Sequence, residues 1–131
     1  MIPWDFGIKN AIEKELGISL FPFSAPSEEK RTSPYLVIEF KNLIQGKNLT
    51  ARAEFTITIA NEKEITAKSF EISKNIGKIA QKELTLFQGD AIIGSAKFKI
   101  ISIESKKNNL ILNVVALLWL KAIYENDETA E

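Results

Sequence analysis

Apolar and polar residues alternate without a break from Thr50 to Ala60. Ala51, Ala53, Phe55, Ile57 and Ile59 fall on one side, and Arg52, Glu54, Thr56 and Thr58 on the other. A period of two is that of a strand with one buried and one solvated face, because successive side chains point to opposite sides of a sheet. Tyr35–Phe40 is rich in aromatic and β-branched residues and follows Pro34, which predicts another strand. Ile18–Phe23 reads as a short strand, and Pro22, with no N–H to give, confines it to an edge. Ser95–Glu104 and Leu110–Tyr124 read as a closing pair of strands, joined by the hairpin loop Lys106-Lys107-Asn108-Asn109. Ser24–Pro34 and Asn42–Asn48 read as loops and Gly89-Asp90 as a turn.

Two segments carry helical spacing instead. In Asp5–Leu16, Ile8, Ala11, Ile12 and Glu15 share a face; Asp5 suits the start and Gly17 the stop. In Thr66–Leu84, Ser69, Ile72, Ile76, Ile79, Ala80 and Glu83 line one side, while Lys68, Glu71, Lys74, Lys78 and Lys82 lie mostly elsewhere. The fold class expected from this order is α+β: a mainly antiparallel sheet packed by an N-terminal helix and one longer amphipathic helix. Residues 1–124 are expected to form a single domain, and 125–131 a flexible acidic tail.

Leu110–Tyr124 is the segment that bears most on function. Read as a strand, it presents Leu110, Leu112, Val114, Ala116, Leu118, Leu120, Ala122 and Tyr124 on one face. Ile111, Asn113, Val115, Leu117, Trp119, Lys121 and Ile123 lie on the other. Both faces are mostly apolar, so both require cover. One solution is a central strand with a helix packed on each face. The other leaves one face for a second copy of the chain, since a short N-terminal helix cannot cover a whole sheet face. On the second solution Leu117, Trp119 and Ile123 are interface candidates. Arg31, Tyr35 and Arg52 join them because Arg and Tyr are enriched at binding hot spots.

Composition narrows the chemistry. The 131 residues contain no cysteine and no histidine. Thiolate nucleophiles, disulfides and zinc–thiolate sites are therefore excluded, as are the usual general base near neutral pH and the commonest metal ligand. Lys+Arg and Asp+Glu both number 17. This balance lacks the basic excess of a nucleic-acid binder and gives little repulsion between copies. The N-terminal residues lack the pattern of a signal peptide, and the longest apolar run, Val114–Leu120, is far short of the ~20 residues of a membrane helix, so a soluble protein is expected. The acidic groups Glu28-Glu29, Glu62/Glu64 and Glu125/Asp127/Glu128 all fall in expected loops or the tail, where solvated charge is the ordinary reading. No phosphate-cradle, dinucleotide, nucleophile-elbow or calcium-loop spacing is present. The expectation is a non-enzyme without cofactor or metal, and with no catalytic residue to name.

The order of elements resembles that of the tail terminator and tail completion proteins of tailed bacteriophages. Three stretches carry the likeness. They are the N-terminal helix running through a proline-punctuated loop into Pro34-Tyr35-Leu36-Val37-Ile38-Glu39, the alternating strand Arg52–Ala60 followed directly by the helix around Ile65–Leu84, and the closing strands Ser95–Tyr124. The likeness spans most of the chain and is one of layout, without a short diagnostic motif. It implies a homo-oligomeric ring, typically a hexamer, that caps a tail tube, stops its polymerisation and joins it to the head. The implied partners are the chain itself, a tail-tube protein and a head-completion or connector protein. The implied location is a virion or phage-like particle, reached from the host cytoplasm. A small binding or adaptor module acting as a monomer or dimer is the alternative. An enzyme working through carboxylates or a lysine is a third class, which would require two acids converging in an enclosed pocket.

Overall fold

The structure is a computed structural model that describes residues 3–22 and 34–120. In chain order the elements are α1 (Pro3–Leu16), β1 (Leu20–Pro22), β2 (Tyr35–Gln45), β3 (Thr50–Ala60), α2 (Ala67–Ile79), β4 (Glu83–Gln88), β5 (Ala91–Lys106) and β6 (Asn109–Leu120). The strands form one six-stranded sheet in the order β1-β2-β3-β6-β5-β4. It curls as a half-barrel, and strand makes up 55% and helix 25% of the described residues.

These facts correct the expected fold class. The sheet is mixed, because β1 pairs with β2 in parallel, Leu20 opposite Leu36 and Pro22 opposite Ile38. The second helix is not the longer one: α2 has 13 residues and α1 has 14. The helical pattern read through to Leu84 ends at Ile79. There the chain tightens into three-residue bonds, with Gln81 N–H on the Lys78 carbonyl and Lys82 N–H on that of Ile79. From Glu83 the period becomes two, with Leu84 and Leu86 buried between exposed neighbours. Glu83 and Leu84, read as the end of the helix, instead open an edge strand.

Each helix is fixed at its ends by local chemistry. Gly17, at φ 70, stops α1 and donates its N–H to the Glu13 carbonyl at 2.8 Å. Glu13 also holds Lys9 at 2.9 Å and accepts the Leu20 N–H at 2.7 Å, which ties α1 to the start of β1. Thr66 caps α2 by accepting from Ser69 N–H. Below that cap lies a polar latch. Ser69 Oγ donates to Asn61 Oδ1 at 2.8 Å, Asn61 Nδ2 donates to the Asn108 carbonyl at 3.0 Å, and Asn108 Nδ2 donates back to the Asn61 carbonyl. It joins the end of β3, the first turn of α2 and the β5–β6 hairpin.

The core lies on one face of the sheet. Ile8 and Ile12 of α1 and Ile72, Ile76 and Ile79 of α2 meet Leu36, Ile38, Phe55, Ile57, Ile59, Leu112, Val114 and Leu118 there. Phe55 stacks edge-on against Phe98. Both helices are thus on the same side, and β6, at the centre between β3 and β5, is not sandwiched by a helix on each face.

Candidate interaction surface

The register of the three central strands decides what the uncovered face presents. Arg52 lies opposite Leu117, which lies opposite Lys97; one step along, Glu54, Val115 and Lys99 form the next row. Thr50, Trp119 and Ser95 form the row beyond, at the end of the sheet. Side chains directly opposite one another stand about 5 Å apart at Cβ, so each row is a set of touching neighbours. On the core side of β6, Leu110, Leu112, Val114, Ala116 and Leu118 are all buried. On the other side Leu117 is 51% and Trp119 44% exposed.

One further apolar residue, Ile44, completes the patch, and Leu49 stands in the adjoining turn. Ile44, opposite Arg52 on β2, is 50% exposed, and Leu49, in the β2–β3 turn, is 39% exposed. Ile44, Leu117 and Trp119, with Gly46, Thr50 and Arg52, border a depression of about 340 Å³. Leu49 sits at φ 60, a left-handed conformation that costs a bulky residue about 1–2 kcal/mol. Its carbonyl accepts the Leu120 N–H at 2.7 Å, and Thr50 Oγ1 donates to the Lys47 carbonyl at 2.6 Å, which holds the turn closed.

Gly94 lets β5 approach this end of the sheet. It pairs with Leu120, and a Cβ built on it would overlap the Trp119 carbonyl oxygen. Bulges on both flanks shape the adjoining surface, because β2 slips register between Phe40 and Asn42, and β5 between Ile100 and Ser102. The two extra residues, Lys41 and Ile101, border a second shallow depression of about 380 Å³ together with Arg52, Glu54, Thr56 and Val115.

Of the residues singled out in the sequence, Arg52, Leu117 and Trp119 are brought together in this patch. Tyr35 is not: it pairs with Ala60 at the far end of β3, about 26 Å away at 3.3 Å per residue. Arg31 and Ile123 lie outside the described residues, as do most of the Ser24–Pro34 loop and the 125–131 tail. Sequence reasoning missed Ile44, because Asn42–Asn48 was read as a loop. The bulge at Lys41 explains this: one extra residue breaks the alternation, so that Leu43 faces the core and Ile44 faces out.

Elsewhere on the molecule, α1 and β4 flank a groove of about 450 Å³ with Gly7, Lys14, Thr85 and Phe87 at its rim. Phe87 and the nearby Ile92 are 43% and 47% exposed. Among the described residues no three acidic side chains are grouped to hold a metal ion. No helix among them is long and apolar enough to cross a membrane. No protein-family profile and no curated protein matches this sequence.

Proposed function

We propose that this chain is a non-enzymatic structural subunit that associates with copies of itself. In this reading it forms a ring of the phage tail-terminator kind, which caps a tail tube and joins it to the head. The observation that carries the reading is the exposed patch of Ile44, Leu117 and Trp119 on the face that neither helix covers. Fully burying one such side chain is worth about 1.5–3 kcal/mol, so covering the exposed half of each yields roughly 1 kcal/mol and the three together about 3. That would correspond to about a hundredfold in a dissociation constant. The patch alone is smaller than a stable interface requires. Contact would therefore extend along the sheet over Val115 and Thr56.

A closed ring needs two different surfaces that meet head to tail. The α1–β4 groove, with Phe87 and Ile92, is a second apolar-edged surface and differs in shape and composition from the first. The order of elements, which resembles that of tail terminator and tail completion proteins, supplies the particle, the tail-tube and head partners and the expected hexamer.

Light scattering at micromolar concentration, run beside an assembly assay on tail tubes, tests the reading. The expected result is a discrete oligomer, or one that forms on tubes, and its loss in Leu117→Asp. A monomer under both conditions would rule it out, and a compact monomer that binds a peptide in the 340 Å³ depression would favour the adaptor alternative.

A further inference from the structure

The apolar patch has a basic border. Leu117 stands between Arg52 and Lys97, and Lys99 follows on the same side of β5. All three cations are exposed, and none forms an ion pair among the described residues. Glu54 is the one acid in these rows. A surface of this kind suits a ligand that is apolar at one end and acidic at the other.

The chain itself carries such a segment immediately after β6. Residues 121–131 read Lys121-Ala122-Ile123-Tyr124-Glu125-Asn126-Asp127-Glu128-Thr129-Ala130-Glu131, with apolar residues first and four acids following a single lysine. Resting on the self-association proposed above, we propose that this segment from one copy binds the outer face of the next. Ile123 and Tyr124 would cover Leu117 and Trp119, and Glu125, Asp127 and Glu128 would meet Arg52, Lys97 and Lys99.

Chain geometry favours a neighbour's face over the segment's own. Leu120 is held to Leu49 at the end of the sheet, with the basic rows behind it along β6. To return, the chain would have to reverse at once, and residues 121–124 include none of the Gly, Pro, Asn, Asp or Ser that tight turns use. The first such residues are Asn126 and Asp127.

Charge reversal in the full-length chain tests this. The face variant is Arg52→Glu/Lys97→Glu/Lys99→Glu, and the segment variant is Glu125→Lys/Asp127→Lys/Glu128→Lys. Association is read by sedimentation velocity, and circular dichroism checks that each variant folds. Each variant alone is expected to associate about tenfold more weakly than the wild type or worse. An equimolar mixture should recover association to within about threefold, because each reversed face then meets a segment of opposite charge on another copy. Unchanged association in both single variants overturns the proposal and leaves the self-association reading standing. Rescue only when both reversals are placed in one chain, and not on mixing, overturns it in favour of the segment's own face. A wild-type chain that neither associates nor assembles on tubes removes both.

Discussion

Replacing Asn61 by alanine removes the centre of the latch that joins β3, α2 and the β5–β6 hairpin. Asn61 is 4% exposed and Ser69 is fully buried. Two side-chain hydrogen bonds are lost, one from Ser69 Oγ at 2.8 Å and one to the Asn108 carbonyl at 3.0 Å. The bond from Asn108 Nδ2 to the Asn61 main-chain oxygen survives, because alanine keeps that carbonyl. Each lost bond is worth about 1 kcal/mol net, and the stranded Ser69 hydroxyl adds about 1–2 kcal/mol, since only the 3.4 Å contact with Thr66 Oγ1 remains to it. The expected loss is about 2–4 kcal/mol, a large share of a domain's usual stability. Urea unfolding measures it, as a lower midpoint with an unchanged slope. In a Ser69→Ala background the same substitution should cost about 2–3 kcal/mol less, because the Ser69–Asn61 bond is already gone and no hydroxyl is left to strand. A loss below about 0.5 kcal/mol, or strict additivity with Ser69→Ala, would refute the latch as an energetic unit.

Three further substitutions separate folding from surface. Gly94→Ala forces a methyl into the Trp119 carbonyl; it should destabilise by about 2–3 kcal/mol or more in the same urea assay. Leu49→Asn relieves the left-handed strain, since asparagine tolerates that region; unfolding should show a protomer that is as stable or up to about 1 kcal/mol more so. Ile44→Asn should associate more weakly by light scattering, because it removes an apolar side chain from the patch.

The sequence was most legible where one periodicity ran uninterrupted. Thr50–Ala60 alternates with a buried and a solvated face, and the structure places β3 over those residues with the same faces. Lys107-Asn108 and Gly89-Asp90 punctuate the chain and are the two-residue turns of the β5–β6 and β4–β5 hairpins. What was hidden had local physical causes. The bulge at Lys41 shifted the phase of β2, so its second half looked like loop. The helical face was read on through Ala80 and Glu83 to Leu84, and only the loss of four-residue bonding after Ile79 ends it. The parallel pairing of β1 with β2 depends on a three-residue strand too short to carry a periodicity. At the surface, Leu117 and Trp119 were legible because an all-apolar strand demands cover on both faces. Lys97 and Lys99 were not, because only the register with β6 sets them beside Leu117.

The central claim is that the uncovered side of β6 is buried between copies of the chain, and Trp119 reports on it directly. The chain has two tryptophans, so in a Trp4→Phe background the emission comes from Trp119 alone. Its spectrum should shift to the blue as concentration rises, over the same range in which the mass measured by light scattering increases. A Trp119 spectrum that stays constant while the mass rises would place the contact elsewhere and contradict the account.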